Sequence, residues 1–126
     1  MIFSESLKKN QDFQRVYRAD SRANRYLVLY RLENGLSKNR IGISVSKKVG
    51  NSVVRHHMCR LIRESYRLNE KSLKPGYDLV VVVRPLAKGR SYREIESALL
   101  HLMKLQNLVQ ELSSENKDEK NLNRND

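Results

Sequence analysis

Between Lys47 and Arg67 the chain reads KKVGNSVVRHHMCRLIRESYR, with six of its 25 basic residues against a single acid, Glu64. The spacing describes a turn followed by a helix. Gly50-Asn51 breaks the segment before it, and Asn51 or Ser52 can cap the amides that open the helix. Val54, Met58, Leu61, Ile62, Ser65 and Leu68 recur at three- and four-residue steps and gather on one face, the one expected to be buried. His56, Cys59, Arg60, Arg63 and Arg67 fall within about 100° of one another on the other side. Glu64 can pair with Arg60 or Arg67, and a solvated basic face is the plain alternative. Three arginines on one stripe nevertheless repel each other unless an anion neutralises them, and Lys47 and Lys48 stand just upstream. A glycine beside the cap also lets a phosphate approach the free N–H groups of the first turn. The chemistry this favours is anion binding.

Two other chemistries use the same residues. His56, His57 and Cys59 are metal-ligand types, and His56 and Cys59 share a face at i, i+3. A structural zinc site takes four protein ligands, and only His101 remains, in a distant segment, so no metal ligand is assigned. Hydrolysis by the chain alone fares no better. Consecutive helical residues diverge by about 100°, so His56 and His57 do not readily converge on one phosphate as acid and base. No clustered carboxylates stand ready for magnesium, nor is there a glycine-rich phosphate loop or nucleophile elbow. No catalytic residue is assigned.

The run Ser44-Val45-Ser46-Lys47-Lys48-Val49-Gly50-Asn51-Ser52-Val53-Val54-Arg55, continuing to Arg60-Leu61-Ile62-Arg63-Glu64, resembles the signature of the bacterial ribonuclease P protein subunit. That resemblance implies a basic protein partnering a catalytic RNA that removes the 5′ leader of precursor tRNA. The RNA would carry the chemistry and the holoenzyme would require magnesium, with no cofactor bound by the protein itself. Lys47, Lys48, Asn51, Arg55, Arg60 and Arg63 are the RNA-binding residues it implies, and His56 and Arg67 of the helical stripe are expected to join them. The family usually carries Arg-Asn-Arg followed by a basic pair. Here Arg55 is followed by His56 and His57, and Cys59 replaces a usual lysine. Histidine is mostly neutral near pH 7, so up to two positive charges are missing from that region.

The rest of the chain must position this stripe. Met1 to Lys9 reads as a mobile leader segment. Asn10 is a candidate cap for a short helix through about Ala19, with Phe13, Val16 and Tyr17 on one side and Arg15 and Arg18 beside them. Both aromatics could simply be core. Asp12-Phe13-Gln14-Arg15-Val16-Tyr17 is similar, however, to the family's first helix, whose aromatics border a cleft for the single-stranded leader. Stacking suits that task because every base has a π face. Ser21 to Arg25 reads as a polar connection. Tyr26 to Glu33 alternates as a strand, with Tyr26, Val28, Tyr30 and Leu32 on one face. Asn34-Gly35 is expected to turn the chain into an antiparallel neighbour, Arg40 to Ser46. There Ile41, Ile43 and Val45 face one side and Gly42, Ser44 and Ser46 the other, a smooth surface suited to a polymer or to a tightly packed helix. The resemblance places Phe13, Arg15, Tyr17, Tyr30 and Ser44 in the leader cleft.

After Lys74-Pro75-Gly76, Tyr77 to Arg84 is the most strand-like segment, and its run of valines predicts an interior strand. Arg84 to Arg90 is a basic loop. Ser91-Tyr92-Arg93-Glu94 fits a capping box, and Ile95, Ala98, Leu99, Leu102 and Met103 follow at helical spacing. The order helix, strand, strand, helix, strand, helix predicts an α+β class, an α/β sandwich with one mixed sheet of three to four strands. The resemblance adds a left-handed crossover through the central helix.

At 126 residues the chain suits one domain, expected over residues 1–112, followed by a disordered C-terminal tail over residues 113–126 with a single apolar residue, Leu122. The net charge is +11 and the pI near 10.0. Residues 1–93 carry +14 and residues 94–126 carry −3, so the contact surface should lie in the first three quarters. One cysteine excludes an internal disulfide. No apolar run approaches a membrane span of roughly 20 residues, and no signal peptide is visible. A cytoplasmic protein is expected, monomeric outside its RNA complex, with the catalytic RNA and precursor tRNA as partners and neither membrane nor DNA. The alternative is a general RNA-binding or ribosome-associated protein without a processing role.

Overall fold

Alternation along the central strands gives the sheet two unlike faces, and each face chooses its own helices. A computed structural model describes residues 4–110 of the chain; the tail expected over residues 113–126 lies outside them. In order the elements are β1 (Ser4–Ser6), α1 (Asn10–Val16), β2 (Asp20–Ala23), β3 (Leu27–Glu33), β4 (Asn39–Val45), α2 (Ser52–Asn69), β5 (Tyr77–Val83) and α3 (Tyr92–Leu105). One mixed sheet has the order β1-β4-β5-β3-β2. β5 lies at its centre, parallel to β4 and antiparallel to β3. The α+β class is as expected, but the sheet has five strands where three to four were predicted.

Four local expectations are corrected with it. β3 and β4 are not hairpin neighbours, because β5 is inserted between them. The Asn34-Gly35 turn does reverse the chain, with Gly35 at φ +72°, but Asn34 bonds to the strand that comes between: its N–H donates to the Gly76 carbonyl at 2.9 Å. The segment before Lys9 is built into the fold from Ser4 onward: β1 pairs with β4, and Leu7 is buried. The expected connection over Ser21 to Arg25 contains most of β2, an edge strand with every residue exposed, which therefore lacks an apolar signal. In α1 the cap position belongs to Lys9 without a side-chain bond, and the helix ends at Val16, short of Ala19.

Leu27, Leu29, Ile41, Leu79, Val81 and Val83 point to the face covered by α2 and α3, where Met58, Ile62, Tyr66, Ile95, Leu99, Leu102 and Met103 meet them. Each such side chain contributes roughly 1.5–3 kcal/mol by leaving water, so this layer carries the fold. In α2 the buried residues are Met58, Ile62, Ser65 and Tyr66, whereas Leu68 is exposed, against expectation. Tyr66 is recruited by β1: its hydroxyl lies 2.7 Å from Ser4 Oγ. α3 opens with the full capping box of Ser91 and Glu94. On the other face α1 is the one helix among the described residues that covers the sheet, around a smaller cluster of Leu7, Val16 and Val80.

A buried carboxylate fixes where α1 sits. Asp78, at the start of β5, has no exposed side-chain surface. It accepts from Arg40 Nε at 2.8 Å and Nη2 at 2.7 Å, from Asn34 Nδ2 at 3.0 Å and from Arg15 Nη2 at 3.3 Å. Burial alone would raise its pKa, but the bonds from Arg40, Asn34 and Arg15 outweigh it and hold the carboxyl below the usual aspartate range. A depressed folded pKa stabilises the protein above the unfolded value, near 3.9, and that stabilisation is lost as pH falls through the folded value. Asp78→Ala is expected to cost about 3 kcal/mol in urea unfolding near pH 7, the low end for a broken buried pair because Arg40 and Arg15 retain access to water. The difference from the parent protein should shrink as pH is lowered below about 4.

Candidate nucleic-acid interface

The basic stripe is presented by a well-made helix. Asn51 caps α2, its side-chain oxygen accepting from Val54 N–H at 3.0 Å. A Cβ at residue 50 would stand 2.7 Å from Val54 Cγ1, so the glycine before the cap is needed for this tight turn into the helix. Buried Met58, Ile62 and Ser65 hold one side against the sheet. His56, Arg60, Arg63 and Arg67 are exposed on the other, with Arg55 and Cys59 half-buried at its margin. Arg67 is engaged by Glu64, its Nε donating at 3.2 Å, and this bond holds the Glu64 carboxyl below its usual range. Arg60 and Arg63 enter no ion pair among the described residues. With Arg67, Glu64 and Ser6 of β1 they line a groove of about 340 Å³. Burial pushes the Cys59 thiol up, against the nearby arginines Arg63 and Arg55. Lys47 and Lys48 are exposed in the turn before the cap.

A second surface lies on the α1 face of the sheet. Strand register places Gly42, Val80, Tyr30 and Ser21 in one cross-strand row and Ser44, Val82, Val28 and Ala23 in the next. α1 lies over the first row. A Cβ at residue 42 would come within 2.5 Å of the Phe13 ring, so the ring rests directly on the glycine. Phe13 and Tyr17 have ring centroids 6.3 Å apart, and Tyr17 meets Tyr30 edge-on at 5.1 Å. All three aromatics are only half-buried, as are Ser44, Val82 and Val28 beside them. The result is a shallow trough with an aromatic wall and a smooth floor of valine and serine.

The structure thus brings Phe13, Tyr17, Tyr30 and Ser44 together, and sets Lys47 and Lys48 just past Ser46, at the end of the strand that carries Ser44. Arg15 stands apart from the trough floor, bonded to Asp12 at 3.1 Å and to Asp78. Arg55, His56, Arg60, Arg63 and Arg67 form a separate surface on the helix behind the sheet. Val28 and Val82 were not singled out from the sequence. Alternation does place Val28 beside Tyr30, but the unbroken run Val80 to Val83 conceals which of its members faces the trough. His56 and His57 are both exposed and point apart, and His101 lies on α3, 3.4 Å from Asn24 Nδ2. Among the described residues no three His, Cys, Asp or Glu side chains come together as a metal site. No helix among them is long and apolar enough to cross a membrane.

Comparison with known proteins agrees with this geometry. The sequence pattern of the ribonuclease P protein family matches residues 2–106. The ribonuclease P protein component of Lachnoclostridium phytofermentans is 59% identical over 107 residues, covering 84% of this chain and 92% of that protein. That of Alkaliphilus oremlandii is 53% identical over 104 residues, covering 82% and 91%. The solved RNase P protein of Staphylococcus aureus superposes with a TM-score of 0.77 at 37% identity, covering 83% of this chain and 97% of its own. That of Thermotoga maritima gives 0.74 at 30% identity, covering 79% and 96%. The chain belongs to the ribonuclease P protein family, the protein component of an RNA-based endonuclease.

Proposed function

We propose that this protein promotes 5′ maturation of precursor tRNA by holding two RNAs at once, the catalytic RNA on the α2 stripe and the single-stranded leader in the trough. The observation that carries this reading is the Phe13 ring lying on Gly42 beside Tyr17 and Tyr30. Half-buried aromatics next to a smooth strand floor form a stacking surface, and each stacked base contributes about 1–3 kcal/mol without demanding a sequence. Arg55, Arg60 and Arg63, with Lys47 and Lys48, supply cations for phosphates, and Asn51 keeps the first turn of α2 in place beneath them. The magnesium implied for the holoenzyme finds no ready cluster among the described residues, so no step is assigned to a protein-bound ion. Hydrolysis belongs to the RNA, and the protein's contribution is affinity and alignment.

The direct test is multiple-turnover cleavage of a leader-bearing precursor by the cognate catalytic RNA at low magnesium, with and without the protein. Stimulation that vanishes when the leader is cut to one nucleotide supports leader binding; tight RNA binding without stimulation supports the general RNA-binding alternative. For Arg60→Ala with Arg63→Ala, affinity for the catalytic RNA should fall and its dependence on log salt flatten by roughly 0.7 to 0.9 for each phosphate no longer neutralised. An unchanged slope would mean that the stripe is merely solvated.

Phe13→Ala should weaken binding of leader-bearing precursor by roughly ten-fold or more, at about 1–3 kcal/mol per stack, with little change for mature tRNA. Gly42→Ala is the sharper variant, since its methyl group displaces the Phe13 ring while leaving every aromatic in the chain. It should reproduce the leader-specific loss with near-parental thermal stability, whereas equal losses on both RNAs would point to damaged folding.

A further inference from the structure

β4 and β5 run parallel and β3 runs against them, so Val45, Val83 and the start of β3 lie at one end of the sheet. Lys47 and Lys48 follow β4 there, Arg84 to Arg90 follow β5, and Arg25 precedes β3. The basic rim therefore continues past the trough onto the α3 side, where it meets a cavity of about 430 Å³ lined by Asn24, Arg25, Tyr26, Arg93, Glu94, Ser97, Ala98 and His101. Its wall is a built structure. Asn24 accepts from the Tyr26 and Leu27 amides at 3.2 and 3.0 Å and donates to the Ala98 carbonyl at 3.0 Å. Arg84 Nη1 donates to the Asn24 carbonyl at 2.8 Å. The guanidinium carbons of Arg25 and Arg90 lie 5.7 and 5.8 Å from the centre of the Tyr26 ring.

Two guanidinium groups held on one ring repel each other, and the single carboxylate at hand is already committed. Glu94 caps α3 and lies 3.7 Å from Arg90. Arg25 and Arg93 enter no ion pair among the described residues. Guanidinium groups stacked on an aromatic face keep their N–H edges outward, in the fork that matches phosphate oxygens. We propose that the Tyr26 cavity is a further RNA contact, in which Arg25 and Arg93 bind phosphodiester groups at the cavity mouth. The strand comes either from the leader beyond the trough or from the catalytic RNA. This rests on RNA being the partner, as proposed above.

The test compares Arg25→Gln/Arg93→Gln with a charge-matched control, Lys71→Gln/Lys74→Gln, whose lysines precede β5 at the opposite end of the sheet from Arg25. The parent protein's own binding first establishes that RNA is bound at all, which tests the underlying reading separately. Salt dependence is then measured in two arms: the cognate catalytic RNA alone, and precursor tRNA bound by the reconstituted holoenzyme, with a leader that just fills the trough or one several nucleotides longer. The arginine variant should flatten the salt slope by roughly 0.7 to 0.9 for each phosphate it ceases to hold, and the control should not. A weakening in the first arm assigns the strand to the catalytic RNA; a weakening confined to the longer leader assigns it to the substrate. Slopes matching the control in both arms would overturn the proposal. As a second measurement that keeps both arginines, Ser97→Cys in a Cys59→Ser background carries a tethered iron chelate in the holoenzyme. Strand cuts near the tether support the contact and identify its source, and their absence from both RNAs overturns it.

Discussion

The trough exists because Asp78 holds α1 at one end of the sheet. A carboxylate with no exposed surface must find donors, and it takes them from three separate places: Arg40 on β4, Asn34 in the turn after β3, and Arg15 on α1. Those bonds tie α1 over the row of Arg40, Asp78 and Leu32 and the adjoining row of Gly42, Val80 and Tyr30. With seven residues α1 is only about 10 Å long at 1.5 Å per residue. It cannot also reach the row of Ser44, Val82 and Val28, which is left open to solvent beside the aromatic rings. A longer helix, or one free to slide, would close the surface that the proposed leader binding uses.

The same economy explains why the two sheet faces differ. The α2 and α3 face is filled with Leu, Ile, Val and Met and carries the fold, which frees the α1 face to be thinly covered. Gly42 is the position where this freedom is used most directly. Any side chain there would lift Phe13 away from the strand, so one missing methyl group sets how close the aromatic wall lies to the floor. Gly50 plays a parallel part at the opening of α2, letting the chain turn tightly into the cap so that Lys47 and Lys48 lie between trough and helix.

Much of this was readable in the sequence because the signals are local. The capping box of Ser91 and Glu94, the Asn51 cap, the alternation of β3 and β4 and the stripe of Arg60, Arg63 and Arg67 all depend on residues within a few positions of each other. The misses have a common cause in contacts between distant segments. Nothing local shows that β5 slips between β3 and β4, because a turn specifies reversal and not adjacency. β1 has only three residues, and its partner is β4, 35 residues on. Tyr66 joins the main core and its hydroxyl meets Ser4 of β1, a contact from 62 residues away, whereas Leu68, apolar but turned outward, is left exposed. Asp78 gave no hint of its role, since its donors come from positions 15, 34 and 40. The trough itself was legible only through resemblance, which supplied Phe13, Tyr17, Tyr30 and Ser44 as a set. Spacing alone allowed each to be core.

The residues lining the trough bear on why the chemistry lies with the RNA. Phe13, Tyr17, Tyr30, Val28, Val82 and Ser44 include no group that exchanges a proton near neutral pH or binds a divalent ion. The carboxylates near that face are already engaged: Asp78 takes four hydrogen bonds that hold it below the usual aspartate range, Asp12 bonds Arg15, and Glu5 bonds Lys38. A surface of this kind, binding the leader as proposed, would stabilise bound and transition states of the substrate alike, which raises affinity without lowering the barrier to the chemical step. Under the proposed function, in which the substrates share a tRNA body but differ in leader sequence, such uniform binding has a use. Stacking tolerates any base, and phosphate contacts ignore base identity, so a leader bound as proposed would gain affinity whatever its sequence, and a product without a leader would gain none from the trough.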